Sequence, residues 1–178
     1  GEATANTTKV AVDNGTFKLE TGQRIKVTTD LFQAEIDTVG GDLRRLVLNK
    51  HAEEDVKKGS FVLMDDTANP ILYIAQTGLL GADLPNHKST FTTSATAYNL
   101  ENGSDKLEVR LNWAGNNDVT VDKIYTFKRG SYVVDVSYEI NNASSSAITP
   151  SAYYQIVHDS ESNQGSMMMP TFTGGAYF

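Results

Sequence analysis

Over residues 132–141 apolar and polar side chains alternate one for one, and that period of two confines the segment to a β-strand. Tyr132, Val134, Val136, Tyr138 and Ile140 share one face, while Asp135, Ser137, Glu139 and Asn141 fall on the other. The run before it carries Tyr125 and Phe127 in one register, and Lys128-Arg129-Gly130-Ser131 supplies a short turn. Glycine lets the chain take a positive φ there, as tight hairpins often require. Residues 123–141 are therefore expected to form a hairpin with one buried face.

The same period recurs along the chain. Ile25, Val27 and Thr29 alternate, then Phe32, Ala34 and Ile36 alternate in a shifted phase, which places a turn or bulge at Asp30-Leu31. Gly40-Gly41-Asp42 breaks the run and Leu43, Leu46 and Leu48 resume it. Residues 49–60 are charged and have room for one helical turn closed by Gly59. Phe61–Met64 and Ile71–Ala75 read as strands around turn signals at Asp65-Asp66 and Asn69-Pro70. Gly78 to Ser89 reads as a long loop. Leu107, Val109, Leu111 and Trp113 alternate up to Gly115-Asn116-Asn117-Asp118, and Val119 and Val121 begin the strand that enters the hairpin. After the turn cluster at residues 141–146, Ile148 to Val157 gives one more strand, interrupted near Pro150. Many short strands separated by turn signals indicate an all-β sandwich.

The chain of 178 residues is one domain in size. Residues 1–24 are expected to be a flexible linker or tag remnant, and 25–178 the sandwich. A formal net charge of −7 argues against nucleic acid or an anionic membrane surface as partner. The cation pairs Arg44-Arg45, Lys57-Lys58 and Lys128-Arg129 form no stripe and are expected on solvated faces. No cysteine is present, which excludes a disulfide frame and a thiol nucleophile. No window approaches the ~20 apolar residues of a membrane span. The start lacks the basic and apolar blocks of a signal peptide, so any anchor is expected outside these residues.

Chemistry-bearing patterns are sparse. His51, His87 and His158 share no metal-ligand spacing, and neither a metal nor a cofactor is expected. His158 beside Asp159 is expected to be an exposed strand end, since neighbours on a strand point to opposite faces. The carboxylates Asp65-Asp66 and Glu53-Glu54-Asp55 sit in turn contexts, where such residues bond to nearby backbone. No Gly-x-Ser-x-Gly elbow or phosphate-binding glycine loop occurs. Met167-Met168-Met169 is expected to pack, as methionine commonly fills gaps. No catalytic residue is assigned.

Four segments carry a resemblance: FQAEIDTVGGDL at 32–43, YIAQTGLLG at 73–81, YTFKRGSYVVDV at 125–136 and TFTGGAY at 171–177. In this order they resemble the large periplasmic domain of the YidC family of membrane protein insertases, over residues 25–178. The resemblance implies a twisted antiparallel β-sandwich of the supersandwich type shared with galactose mutarotases. It implies no transfer of their activity. It also implies an accessory, non-enzymatic role on the periplasmic side of the bacterial inner membrane. Helices outside these residues would anchor it there. Contacts with the Sec translocon through SecF, and with nascent membrane proteins, would follow. The partner-binding residues it points to are Thr171, Phe172, Gly174, Gly175 and Tyr177. The family's domain continues past this last segment, so the C-terminal part of the sandwich is expected to be missing. Unpaired sheet edges would then favour an edge-strand dimer.

Two other readings stay open on the residues alone. Trp113 and the eight tyrosines could line a sheet cleft that binds a carbohydrate or another small ligand. A histidine paired with a carboxylate in a cleft would revive a sugar epimerase.

Overall fold

The computed structural model of the chain describes residues 19–52, 59–67, 72–116 and 118–158. These fold into ten strands, with no helix among the described residues: β1 Arg24–Thr28, β2 Phe32–Asp37, β3 Leu43–Ala52, β4 Ser60–Met64, β5 Tyr73–Leu80, β6 Ala97–Asn99, β7 Lys106–Ala114, β8 Val119–Lys128, β9 Val134–Asn142 and β10 Ser151–His158. The larger sheet runs β10-β5-β3-β2-β1-β6 with β4 paired to β3, and the smaller runs β7-β8-β9. The β-sandwich read from the sequence is the fold observed. One pairing departs from the antiparallel expectation: β6 lies parallel to β1, with Lys26 opposite Ala97 and Thr28 opposite Asn99. A long crossover from β5 delivers β6, and only a long connection permits parallel neighbours.

Local chemistry explains the turns. Thr29 closes the β1–β2 hairpin: its Oγ1 accepts from the amides of Leu31 (3.2 Å) and Phe32 (3.1 Å). The phase shift at Asp30-Leu31 is this turn. Gly130 takes φ 70° in the β8–β9 turn, as the hairpin pattern requires. Ahead of β1, the Gly22 amide donates to Asp37 Oδ1 at 2.8 Å and the Gln23 amide to Thr38 Oγ1 at 2.8 Å.

The main core lies between the sheets. Ile25, Val27, Phe32, Ile36, Val109, Leu111, Tyr125 and Phe127 are buried in one cluster, and the Phe32 and Phe127 rings meet at 5.9 Å. Each such side chain contributes on the order of 1.5–3 kcal/mol by leaving water. A second cluster of Leu79, Leu84, Val119 and Val121 fills the other end, and Trp113 packs against both. The buried face expected of the hairpin is complete on β8 and only half-covered on β9, the last strand of its sheet. Tyr132 lies in the turn and stacks on Phe32 at 6.4 Å.

Three local expectations need correction. Residues 49–52 extend β3 where a helical turn had room to form, because β4 pairs with them as far as Ala52–Ser60; residues 53–58 lie outside the described set. The presumed loop from Gly78 is strand through Leu80, because β10 pairs along all of β5, from Ser151–Leu80 to His158–Tyr73. Gly78 there makes room for a ring: a Cβ would sit 2.4 Å from Tyr153 Oη. The last strand starts at Ser151, just after Pro150.

The outer face of the smaller sheet carries a solvated charge ladder. Arg110 reaches Glu139 at 2.6 Å and Asp122 at 3.4 Å, and Lys106 reaches Glu108 at 2.9 Å. Exposed pairs of this kind contribute little to stability. Arg110→Ala is therefore expected to leave Tm within about 2 °C of the parent in thermal unfolding followed by circular dichroism.

Candidate functional site

The inward register of β8 reads Val119, Val121, Lys123, Tyr125, Phe127, and the lysine in it is the most unusual polar group of the molecule. Lys123 is fully buried between the sheets. Its Nζ donates to Gly40 O at 2.9 Å and Thr77 O at 3.0 Å. The rings of Tyr125, Phe91 and Tyr138 lie around the ammonium at 5.6, 5.8 and 6.0 Å. Beside it Tyr125 Oη donates to Gly41 O at 2.5 Å, and Tyr138 Oη and Thr77 Oγ1 share a hydrogen bond of 2.7 Å. These bonds tie β8 and β9 to the Gly40-Gly41 turn and to β5.

The opposite side of that turn holds an ionic network. Buried Asp42 accepts from Gln76 Nε2 at 2.7 Å through Oδ2, and Arg44 Nη2 lies 3.0 Å from the same oxygen. Gln155 Nε2 donates to Gln76 Oε1 at 2.8 Å, linking β10 to the network. Arg24 Nε pairs with Asp37 at 3.0 Å, and its guanidinium also pairs with Asp66. Arg44, expected on a solvated face, is 1% exposed. Glu20 O, at 3.3 Å from its Nη2, and Asp42 provide the partners that make its burial tolerable.

Burial sets the protonation of this centre. It pushes Asp42 up to about 6, against the opposing pull of the Gln76 hydrogen bond, Arg44 and Lys123. It pulls Lys123 down to about 7, with Asp42 acting the other way. Burial likewise raises Tyr125 and Tyr138 above the ordinary tyrosine value. An amine that loses its proton near neutrality can act as a base or nucleophile. Here two carbonyls and three rings enclose it, and no surface of it is exposed, so no substrate reaches it. The arrangement is a brace between sheets.

The other candidate residues sit apart. His87 Nδ1 and its backbone amide both meet Tyr153 Oη, at 2.6 and 3.0 Å, and burial followed by Lys88 and Lys123 lowers its pKa. His51 Nε2 lies 3.2 Å from Tyr132 Oη. His158 ends β10 and is exposed. Asp65 pairs with Arg45 and accepts the Thr67 amide at 2.8 Å, and Asp66 pairs with Arg24 and lies 3.8 Å from Arg44. Among the described residues no group of three or more His, Asp or Glu is placed to hold a metal. Glu53-Glu54-Asp55, Met167–Met169 and the expected contact residues Thr171, Phe172, Gly174, Gly175 and Tyr177 lie outside the described residues.

Two surface features remain. A shallow open pocket of ≈ 360 Å³ is lined by Asp83, Trp113, Ala114, Gly115 and Asn116. Large apolar side chains stand exposed on β10, at Tyr154 and Ile156, and on β4, at Phe61 and Leu63.

Comparison with known sequences bears on which feature matters. The profile of the YidC periplasmic domain matches residues 24–178. The membrane protein insertase YidC of Methylobacillus flagellatus is 58% identical over 174 residues, which cover 98% of this chain and 31% of that protein. That of Nitrosospira multiformis is 46% identical over 162 residues, 90% of this chain and 28% of the relative. That of Aromatoleum aromaticum is 42% identical over 180 residues, all of this chain and 32% of the relative. The chain thus spans about a third of the length of the curated relatives it matches.

Proposed function

The chain belongs to the YidC periplasmic domain family, and from that premise we propose that it serves a bacterial membrane protein insertase as a non-catalytic accessory domain. It works on the periplasmic side of the inner membrane, through protein contacts. The observation that carries this reading is where the reactive groups are. The lysine with a perturbed pKa is sealed between the sheets, and Asp37, Asp42 and Asp66 are engaged with arginines. What the surface offers instead is apolar, at Tyr154, Ile156, Phe61 and Leu63, and apolar patches serve contact with other chains. The partners that fit are components of the Sec translocon, SecF among them, and nascent membrane proteins. Residues 171–177 are the segment assigned to SecF. Photocrosslinking from scanned surface positions of the full-length insertase in intact membranes tests this. Capture of SecF is expected, and alanine at Thr171, Phe172 and Tyr177 is expected to reduce it severalfold. Unchanged capture by the triple variant would remove that segment from the contact.

The Trp113 pocket favours a second reading. An indole beside Asp83 and Asn116 is a surface on which a saccharide ring can stack and bond. Saturable quenching of Trp113, the single tryptophan, on titration with oligosaccharides would support it. Fluorescence unchanged at millimolar sugar would remove it.

A further inference from the structure

The connection between β6 and β7 contains Asn102-Gly103. In such a pair the glycine amide can attack the asparagine side chain, because glycine has no Cβ to obstruct the approach. The two residues form the middle of a tight turn. The Ser104 amide donates to Glu101 O at 3.1 Å, and Gly103 takes φ 86° while Asn102 keeps a negative φ. That combination is a type II turn. Both residues are exposed, and nothing lies within 4 Å of where a Gly103 Cβ would stand. One side chain reaches this turn from a distant part of the sequence. Arg129, just past the end of β8, donates from Nε to Ser104 O at 2.9 Å and from Nη2 to Glu101 O at 2.7 Å. Its backbone amide donates to Asp105 O at 2.9 Å. The guanidinium thus bridges both ends of the turn through charge-assisted bonds.

We propose that Asn102 is a deamidation site and that Arg129 sets its rate by holding the turn in an unreactive orientation. In the reaction the Gly103 backbone nitrogen gives up its proton to hydroxide and attacks Asn102 Cγ. The N–Cγ bond forms, the Cγ–Nδ2 bond breaks, and ammonia leaves with a proton from water. Water then opens the cyclic imide at either carbonyl, which leaves aspartate or isoaspartate at position 102. Ring closure needs the nucleophile beside Cγ. A type II turn has ψ of about +120° at its second residue, which turns the next nitrogen away from that residue's side chain. The peptide plane between Asn102 and Gly103 must therefore rotate before the atoms meet, and the Arg129 bridge resists that rotation. Local opening of the turn, with the sandwich intact, is the route to the modified chain. The isoaspartyl product adds a methylene to the turn backbone and moves apart the two carbonyls that Arg129 spans.

The test follows conversion at Asn102 in the 178-residue chain at mildly alkaline pH, by peptide mapping and mass spectrometry with detection of isoaspartate. Peptide mapping separates Asn102 from Asn14-Gly15, the other Asn-Gly pair of the sequence. In the parent, conversion is expected at least about tenfold slower in the folded chain than in urea, because misplaced reacting atoms lose rate steeply. Arg129→Ala is expected to speed conversion in the folded chain at least about threefold, since two hydrogen bonds to a charged group are lost. Arg129→Lys keeps the charge, but a single nitrogen has no fork to bridge both carbonyls, so it is expected to resemble alanine. Arg110→Ala serves as the control and leaves the rate unchanged. In urea all four chains are expected to convert equally, which separates the turn's effect from the intrinsic chemistry. Circular dichroism confirms that each variant is folded. A parent that converts as fast folded as unfolded, an Arg129→Ala chain no faster than the parent, or no conversion at Asn102 even in urea would overturn the proposal.

Discussion

Gly40→Ala is expected to cost about 3 kcal/mol of folding stability and to lower Tm by about 10 °C. Two effects add at this residue. Its φ of +74° lies in the left-handed region, where a Cβ costs roughly 1–2 kcal/mol. The Cβ would also sit 2.5 Å from both Asp42 Oδ1 and the carbonyl of His87. The carbonyl is backbone and cannot swing away, so the turn itself must shift. A shift there moves the Gly40 and Gly41 carbonyls on which Lys123 and Tyr125 are anchored. Gly130→Ala is the control, because Gly130 has a similar φ of +70° and nothing within 4 Å of its would-be Cβ. It is expected to cost only about 1–2 kcal/mol, the strain alone. Urea unfolding of the two variants beside the parent measures the difference. Equal losses would mean that the turn is not pressed between the sheets.

The contrast between these glycines also shows what the sequence makes legible. The period of two located β1, β2, β7, β8 and β9, and the turns at Gly40-Gly41 and Gly130 followed from glycine's tolerance of positive φ. Segments whose pairing is set by distant strands were harder. Tyr73–Leu80 extends past Gly78 only because β10, far away in sequence, pairs with it and lays Tyr153 over the glycine. β6 has three residues and owes its existence to β1. The brace was legible in part. Lys123 occupies an inward position between Val121 and Tyr125, so alternation alone marks it as buried. Nothing local marks Arg44 or Asp42 that way. Their burial depends on Glu20, Gln76 and Asp66, which reach them from other parts of the chain. The family signature lay in four short segments, and it was legible for a different reason: motif order can be read without knowing any contact.

Stability should pass through a minimum between about pH 6 and 7 and rise toward pH 9–10, and Lys123 should be the main cause of the rise. In the unfolded chain a lysine keeps its proton to about 10.4, whereas in the fold Lys123 loses it near 7. Between those values the unfolded state binds one more proton, so stability rises with pH at up to about 1.4 kcal/mol per unit. His87, whose pKa is lowered, adds a smaller rise with the same sign below its ordinary value. Asp42 acts oppositely at lower pH. The fold holds its proton to about 6, above the ordinary carboxylate value, so stability falls as pH climbs toward 6 and is level beyond it. Above about pH 10 the raised Tyr125 and Tyr138 reverse the trend, since unfolded tyrosines ionise first. Urea unfolding at pH 6.5 and 9.5 should therefore show a gain of roughly 2–4 kcal/mol at the higher pH. Lys123→Met separates the lysine from every other group. It leaves the carbonyls of Gly40 and Thr77 without a donor, so it is expected to be less stable at alkaline pH, by about 1–3 kcal/mol for each carbonyl. Its diagnostic is the slope, which should nearly vanish between pH 7 and 9.5. A parent whose stability is flat over that range, or a variant that keeps the full rise, would show that the amine is protonated in the fold and that its two carbonyls hold it as an ammonium.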